Sequence, residues 1–316
     1  TLLEETVSRF QDVVPLDRIH VLTNSRQIQA CREAVPFLPK EQFVAEPAKR
    51  DTAPAAALAT ALAFSRNKNS ICALFPADAA IRDLQTFQRN LRDAVATAAY
   101  QDALLTFAIQ PSHPSTGFGY LKLGEKLPEA PEGSKVCRVD AFREKPDEET
   151  AQQYLESGNY AWNAGMFVWR AEVFLRECRR LQPALADFIE AFPSTNPLPF
   201  LNEHFASLPK ISVDYAIMEQ ANAVLALEAG FDWDDVGTWT ALPAHLGLDE
   251  LGNTLRGKTA LIDSANNIVI GTGRTIALCG VKDLVVVETE DAILVCHRDS
   301  VQEIKNLHLN LPEENR

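Results

Sequence analysis

The sequence contains no apolar run approaching the ~20 residues of a membrane span, and no such span is expected. Its six cysteines (31, 72, 137, 178, 279 and 296) include no CxxC and no tight pair. That excludes a metal knuckle and a disulfide framework, and leaves small apolar side chains in a reducing compartment. Basic charge is scarce: 43 acidic residues outnumber 30 basic ones and leave a formal net charge of -13, so no nucleic-acid footprint is expected. An anionic ligand must then meet a local cluster of cations or a metal ion, because the average field of the protein repels it. There is no GxGxxG fingerprint and no Ser-His-Asp or Cys-His spacing. The first residues show no signal-peptide pattern, and a soluble, cytoplasmic protein is expected.

The 316 residues, 46% apolar and 23% charged, suit one large or two ordinary domains with a sizeable core. "TLLEETVSRF" opens the chain in helical register, with Leu2, Leu3, Val7 and Phe10 on one stripe and Thr1 as N-cap. Strand-length apolar runs follow at "IHVLTN" (19-24), "FVAEP" (43-47), "ICALFPAD" (71-78) and "LLTFAIQ" (104-110), separated by helical patterns at 53-67 and 84-100. The alternation predicts an α/β fold with a parallel, doubly wound sheet, whose ligands sit beyond the carboxyl ends of the strands. From 118 to 170 closer strands, with a helix at "DEETAQQYLESG", suggest an insertion forming a second wall over the sheet. Helices are expected to dominate from there to about 245. The punctuated "LGLDELGNTLRG" then marks a boundary between a domain of residues 1-248 and a small β-rich domain of residues 249-316, with a short helix at 302-307.

Five segments carry candidate chemistry. "FPADAAI" sets Asp78 at the carboxyl end of a strand expected to be buried, where a carboxylate can hold Mg²⁺ or cap the next turn. "EPAKRDTAP" enters a helix with Asp51 or Thr52 as N-cap and Pro54 in the first turn, which leaves Lys49 and Arg50 for an anion. "FREKP" ends a strand; regular alternation would point Glu144 and Lys145 to opposite sides, as on an ordinary edge strand. The functional alternative is Lys145 on a phosphate and Glu144 on sugar hydroxyls. "YAWNAGMFVW" offers the Asn163 amide for a hydroxyl pair beside Gly165, with Trp162 as possible core. "DWDDVGTW" crowds Asp232, Asp234 and Asp235 ahead of a helix, a favourable placement even without a ligand; alternatively Asp235 completes a metal site with Asp78.

Taken in order, "EPAKRDTAPA", "PADAAI", "STGFGY", "FREKP", "WNAGMF", "ISVDYAIMEQA" and "WDDVGTW" closely resemble the mannose-1-phosphate guanylyltransferases of the sugar-nucleotide pyrophosphorylase superfamily, over nearly the whole chain. The resemblance implies a Rossmann-like nucleotidyltransferase domain followed by a small C-terminal β-helix-like domain. It implies transfer of GMP from GTP to mannose 1-phosphate, giving GDP-mannose and pyrophosphate, with Mg²⁺ as cofactor, and a homodimer is expected. By the same resemblance Asp78 and Asp235 match the metal-holding carboxylates and Lys145 the lysine on the sugar phosphate. Glu144 and Asn163 match groups on the hexose, and Gly117 the close-approach glycine. Arg50 and Thr52 lie in the segment facing the nucleotide. Asp51 stands where the family usually has Asn, Ala79 where it has His, and Ala164 where it has Ser. The family's first strand and glycine-rich triphosphate loop are expected upstream of Thr1. Two alternatives stay open: a non-catalytic regulatory or scaffold homologue that binds sugar nucleotide, and a nucleotidyltransferase for another hexose 1-phosphate.

Overall fold

The structure is a computed structural model that describes residues 1–237 and 239–311. Thr238 of the Asp-rich segment and residues 312–316 of the expected second domain lie outside the described residues. The chain divides into two compact units, Thr1–Trp233 and Asp234–Arg316. Among the described residues no helix is long and apolar enough to cross a membrane.

The first unit opens with the helix Leu2–Ser8, entered through a reciprocal capping box between Thr1 and Glu4. Its strands are β1 (Val21–Asn24), β2 (Phe43–Glu46), β3 (Ile71–Leu74), β4 (Leu104–Ile109), β5 (Tyr120–Lys126), β6 (Val136–Arg143), β7 (Tyr160–Arg170) and β8 (Val224–Glu228). β1 and β2 form a separate parallel pair. The other six make one sheet in the order β3-β7-β4-β8-β6-β5, and β7 also pairs with β5.

Helices cover both faces of this sheet. Along β4, Leu104 and Ala108 pack with the helices Thr52–Phe64, Ala171–Leu181 and Pro183–Ala191, while Leu105, Phe107 and Ile109 pack with Phe87, Leu91 and Ala94 of the helix Leu84–Tyr100. β7 divides its side chains the same way, Phe167 and Trp169 to one face and Met166 and Val168 to the other. A strand buried on both faces alternates between two cores, which is why β4 is apolar nearly throughout.

The layered α/β class agrees with the expectation from sequence, and four details correct it. The sheet is mixed: β4 and β8 run parallel, but β7 is antiparallel to both β3 and β4, and β6 to β8. The 118-170 segment builds no second wall. β7 fills the position between β3 and β4 and satisfies the backbone groups of both, so the segment belongs to the main sheet. β8 lies inside the stretch expected to be helical, because "VLALE" carries good helix formers; its burial beside β4 overrides that local preference. Finally β3, expected to be buried, is an edge strand of this sheet with Ala73 exposed.

The second unit stacks short parallel strands. β9 (Thr254–Arg256), β11 (Ile268–Ile270) and β13 (Leu284–Glu288) form one ladder, with Thr254, Ile268 and Val285 in register; β10 (Thr259–Ile262) and β12 (Ile276–Cys279) form another. β14 (Ile293–His297) closes the first ladder antiparallel to β13. Ile268, Val285, Val287 and Val301 fill the core. Buried Asn253 and Asn267 stack from turn to turn, Asn267 Nδ2 donating to Asn253 Oδ1 at 3.0 Å. The helix Ile304–Leu309 follows.

Candidate active site

Three motifs are braced into one wall. Tyr120 of β5 pairs with Arg143 of β6 and with Trp162 of β7, so "STGFGY", "FREKP" and "WNAGMF" meet at the same end of the sheet. The backbone N–H of Lys145 donates to Phe118 O at 3.2 Å and that of Asn163 to Gly119 O at 2.8 Å. Phe118 and His113 pack edge-on against Trp162, which is 5% exposed and belongs to the core, as the plainer reading of that residue had it.

Strand alternation ends before Glu144. β6 stops at Arg143, and Lys145 takes a φ of 46°, a left-handed value uncommon outside glycine and asparagine. The turn brings two side chains together that regular alternation would have separated: Lys145 Nζ donates to Glu144 Oε1 at 2.7 Å. Glu144 is largely buried and Lys145 mostly exposed. This bond raises the Lys145 pKa above the ordinary lysine value, against the opposing effect of burial.

The facing wall comes from a remote part of the sequence. Asp51 is the N-cap of the helix Thr52–Phe64, its carboxylate accepting from Thr52 N at 2.8 Å. Its φ of 71° with ψ of -173° is a conformation almost confined to glycine, at a cost of about 1–3 kcal/mol. Thr52 Oγ1 accepts from Val213 N at 2.9 Å, and Ala53 N donates to Ile211 O at 3.1 Å. Those bonds clamp the segment 210–215 against the helix start. Arg50, expected beside the nucleotide, donates to the carbonyl of Ala206.

Between the walls lies a cavity of about 460 Å³ lined by Asp51, Thr52, Glu144, Lys145, Lys210 and Asp214 among others. Asn163 adjoins it, because its Nδ2 donates to Asp214 Oδ1 at 3.1 Å. Asp214 is pushed up to about 6 by burial first and by the nearby Glu144 charge second. Neither Asp214 nor Lys210 was singled out from sequence. The signal for Asp214 is membership of "ISVDYAIMEQA", and Lys210 lies just ahead of that stretch; nothing local distinguishes an acid that will be buried from one that caps a turn.

Gly119, not singled out from sequence, makes room for the site within the chain: a Cβ there would lie 2.5 Å from Glu144 Oε2. A Cβ on Gly117 would meet only ordinary contact, with Ser115 Oγ at 3.6 Å, so any close approach at Gly117 concerns a ligand.

Asp78 stands apart from this cavity, exposed in the loop after β3, with no hydrogen bond among the described residues. Its neighbours are anchored. The buried Arg9 donates from Nη2 to Ala79 O at 2.9 Å, and the Asp232 carboxylate accepts from Arg82 N and from Asp83 N, the latter at 2.7 Å. Asp235 belongs to the second unit, where its Oδ1 accepts from Gly237 N at 3.2 Å. Among the described residues no three His, Cys, Asp or Glu side chains form a ready metal cluster.

Lys145 thus stands beside Glu144, Asn163 and Asp214 on a mixed α/β sheet, and a second unit of parallel β-ladders follows in the chain. Residues 2–246 match the nucleotidyl transferase family, and residues 257–311 match the MannoseP isomerase/GMP-like beta-helix domain; the chain belongs to the nucleotidyl transferase family. It is 42% identical over 269 residues to the xanthan biosynthesis protein XanB of Xanthomonas campestris pv. campestris strain B100, covering 83% of this chain and 55% of that protein. A putative mannose-1-phosphate guanylyltransferase of Vibrio cholerae serotype O1 is 33% identical over 323 residues, covering 100% of this chain and 68% of its own. The crystal structure of mannose-1-phosphate geranyltransferase from Thermus thermophilus superposes with a TM-score of 0.85 at 30% identity, covering 97% of this chain and 88% of that one. The chain thus spans little more than half the length of XanB and about two thirds of the Vibrio relative.

Proposed function

We propose that the protein transfers GMP from GTP to mannose 1-phosphate, giving GDP-mannose and pyrophosphate. The observation that carries this reading is the convergence of Lys145, Glu144, Asn163 and Asp214 on one cavity. An ammonium suits a phosphate, and the fixed amide and carboxylates suit the hydroxyls of a hexose. A phosphate oxygen of the sugar phosphate attacks the α-phosphorus of GTP; a P–O bond forms there, the bond to the bridging oxygen breaks, and pyrophosphate leaves with the electron pair.

Little covalent chemistry falls to the chain, which must align two anions and offset their charge. Lys145 exchanges its bond to Glu144 for one to the sugar phosphate. Glu144 is then free to accept from the hexose, alongside Asn163. The helix start at Asp51 and Thr52, with Arg50 behind it, faces the nucleotide half. Asp78 suits Mg²⁺, being an exposed carboxylate oxygen donor on an anchored loop, and this ion prefers a few protein ligands completed by waters and phosphate oxygens. When bound, Mg²⁺ would neutralise charge on the triphosphate. The reading includes a cytoplasmic homodimer.

Pyrophosphate release measured over a panel of nucleotides and sugar phosphates tests the assignment. The expected preference is for GTP with mannose 1-phosphate. A clear preference for UTP, or for glucose 1-phosphate, would sink it.

A further inference from the structure

Among the described residues the cavity holds more acid than base: its lining sets Asp51, Glu144 and Asp214 against Lys145 and Lys210. Asp214 is the least compensated of the three carboxylates. Asp51 caps a helix, and Glu144 has the Lys145 ammonium at 2.7 Å. Among the described residues the one side chain that hydrogen-bonds to Asp214 is a neutral amide. The orientation of that amide is set by the backbone. Gly165 N–H can only donate and points at the Asn163 oxygen at 3.3 Å, while the Thr106 hydroxyl lies 2.8 Å from the same oxygen and 3.0 Å from the carbonyl of Met166, either of which can accept its one proton. The NH₂ group is left facing Asp214, and it can donate to a carboxylate or to the carbonyl oxygen of a carboxylic acid. Asp214 can therefore change protonation state without losing Asn163.

We propose that Asp214 is a proton-linked residue of the hexose-phosphate subsite: as a sugar phosphate draws Lys145 from Glu144, one proton from solvent moves onto Asp214, whose O–H then donates to the bound molecule. The inference rests on the reading that this cavity receives a hexose 1-phosphate.

A dianionic phosphate entering beside two carboxylates must raise the affinity of the deeper one for a proton. Asp214 starts close to that point, since burial and Glu144 already hold it at about 6. The charged and titratable groups facing it are Glu144 and Lys145 beyond β6, Asp51 at the helix start, and Lys210 and Tyr215 on its own segment. Of these, Lys145 pulls its pKa down, and the phosphate competes for Lys145. The sign follows. The contribution of Asp214 to sugar-phosphate affinity is full below about pH 6 and falls as pH rises, by up to tenfold per unit, until the pKa of the bound state is reached.

Calorimetric titration of mannose 1-phosphate into the protein at about pH 7.5, in buffers of different ionisation enthalpy, counts the protons. The expected result is uptake of close to one proton per site in the parent and close to none in Asp214→Asn. The second ionisation of the sugar phosphate, at roughly pH 6, contributes equally to both proteins and cancels in the difference. Asp214→Asn keeps an acceptor for Asn163 and is expected to bind at least about threefold tighter than the parent at about pH 8, with GTP affinity the same in both. Asp214→Ala, which leaves the amide without its acceptor, is expected to bind more weakly at every pH. Binding without proton uptake, or an equal loss of affinity in Asp214→Asn at all pH values, overturns the proposal. Proton-linked binding of a different hexose 1-phosphate upholds it while displacing mannose from the function proposed above. A folded protein that binds none of a hexose 1-phosphate panel overturns both.

Discussion

Two parts of the first unit hold candidate functional side chains in opposite ways. Around the cavity the groups are tied to one another: Lys145 to Glu144, Asn163 to Asp214, and Thr52 to the backbone of Val213. In the Asp78 loop the candidate carboxylate is bonded to nothing among the described residues, and only its neighbours are held, by Arg9 and Asp232. A hexose presents hydroxyls whose directions must be matched, so its site needs donors and acceptors fixed beforehand. A hard cation carries waters and phosphate oxygens as most of its own shell, and asks the protein for little more than a placed carboxylate. One region is preorganised by its own network; the other is preorganised only as a loop.

The largest expected effect breaks the loosely held side. Asp78→Asn should lower kcat by on the order of 10²–10³, the usual cost of one oriented electrostatic contact, while leaving the denaturation midpoint unchanged because the residue is exposed. Near-normal turnover at limiting Mg²⁺ would remove Asp78 from the metal site. Next comes Lys145→Ala, which should raise KM for mannose 1-phosphate by about 10–100-fold, as expected for a charge-assisted hydrogen bond of roughly 1.5–3 kcal/mol, and leave KM for GTP alone. A rise confined to GTP would reverse the division between the two regions.

Smaller effects sharpen the contrast within the network. Gly119→Ala sets a Cβ 2.5 Å from Glu144 Oε2 and must displace that carboxylate. A rise of about tenfold in KM for the sugar phosphate is expected, since misplacement of a positioning group by an ångström costs up to roughly 10²; unchanged kinetics would show that Glu144 is not held in place for the sugar. Thr52→Val removes the acceptor of Val213 N and should destabilise the protein by about 1–3 kcal/mol, read by urea denaturation.

The smallest effect is a pH dependence of stability in the ligand-free protein. Asp214 is raised from the ordinary 3.8 to about 6, so between those values the folded state keeps a proton that the unfolded chain has released. Stability from this group is therefore full below about pH 3.8, declines as pH rises to about 6, and is level beyond. Asp214→Asn should remove that slope, and urea midpoints measured in both proteins at unit steps from about pH 4 to about pH 7 would reveal whether it does.

Much of the fold was legible in the sequence where its cause is local. The helix Leu84–Tyr100 was expected over those same residues from its apolar spacing, and the Thr1 N-cap is visible in four residues. β8 was not, because Val224–Glu228 reads as helix until it is placed beside β4. In the candidate site the motifs identified Glu144, Lys145 and Asn163 by type, but regular alternation separated the first two, and only the left-handed turn at Lys145 unites them. Asp214 left no mark, since its distinction is burial.

Most helix and strand segments, the caps at Thr1 and at the Asp51–Thr52 helix start, and the side chains suited to phosphate, hydroxyl and metal follow from the sequence. These depend on residues within a turn or two of one another, where backbone sterics and capping bonds act. The tertiary structure alone decided that β7 runs antiparallel between β3 and β4, that Thr52 clamps Val213, and that Asp51, Glu144 and Asp214 share a cavity with two lysines. Burial and electrostatic coupling arise only when remote segments exclude water from the same place, and they set the chemical state of Asp214, which the identity of its neighbours in the chain leaves open.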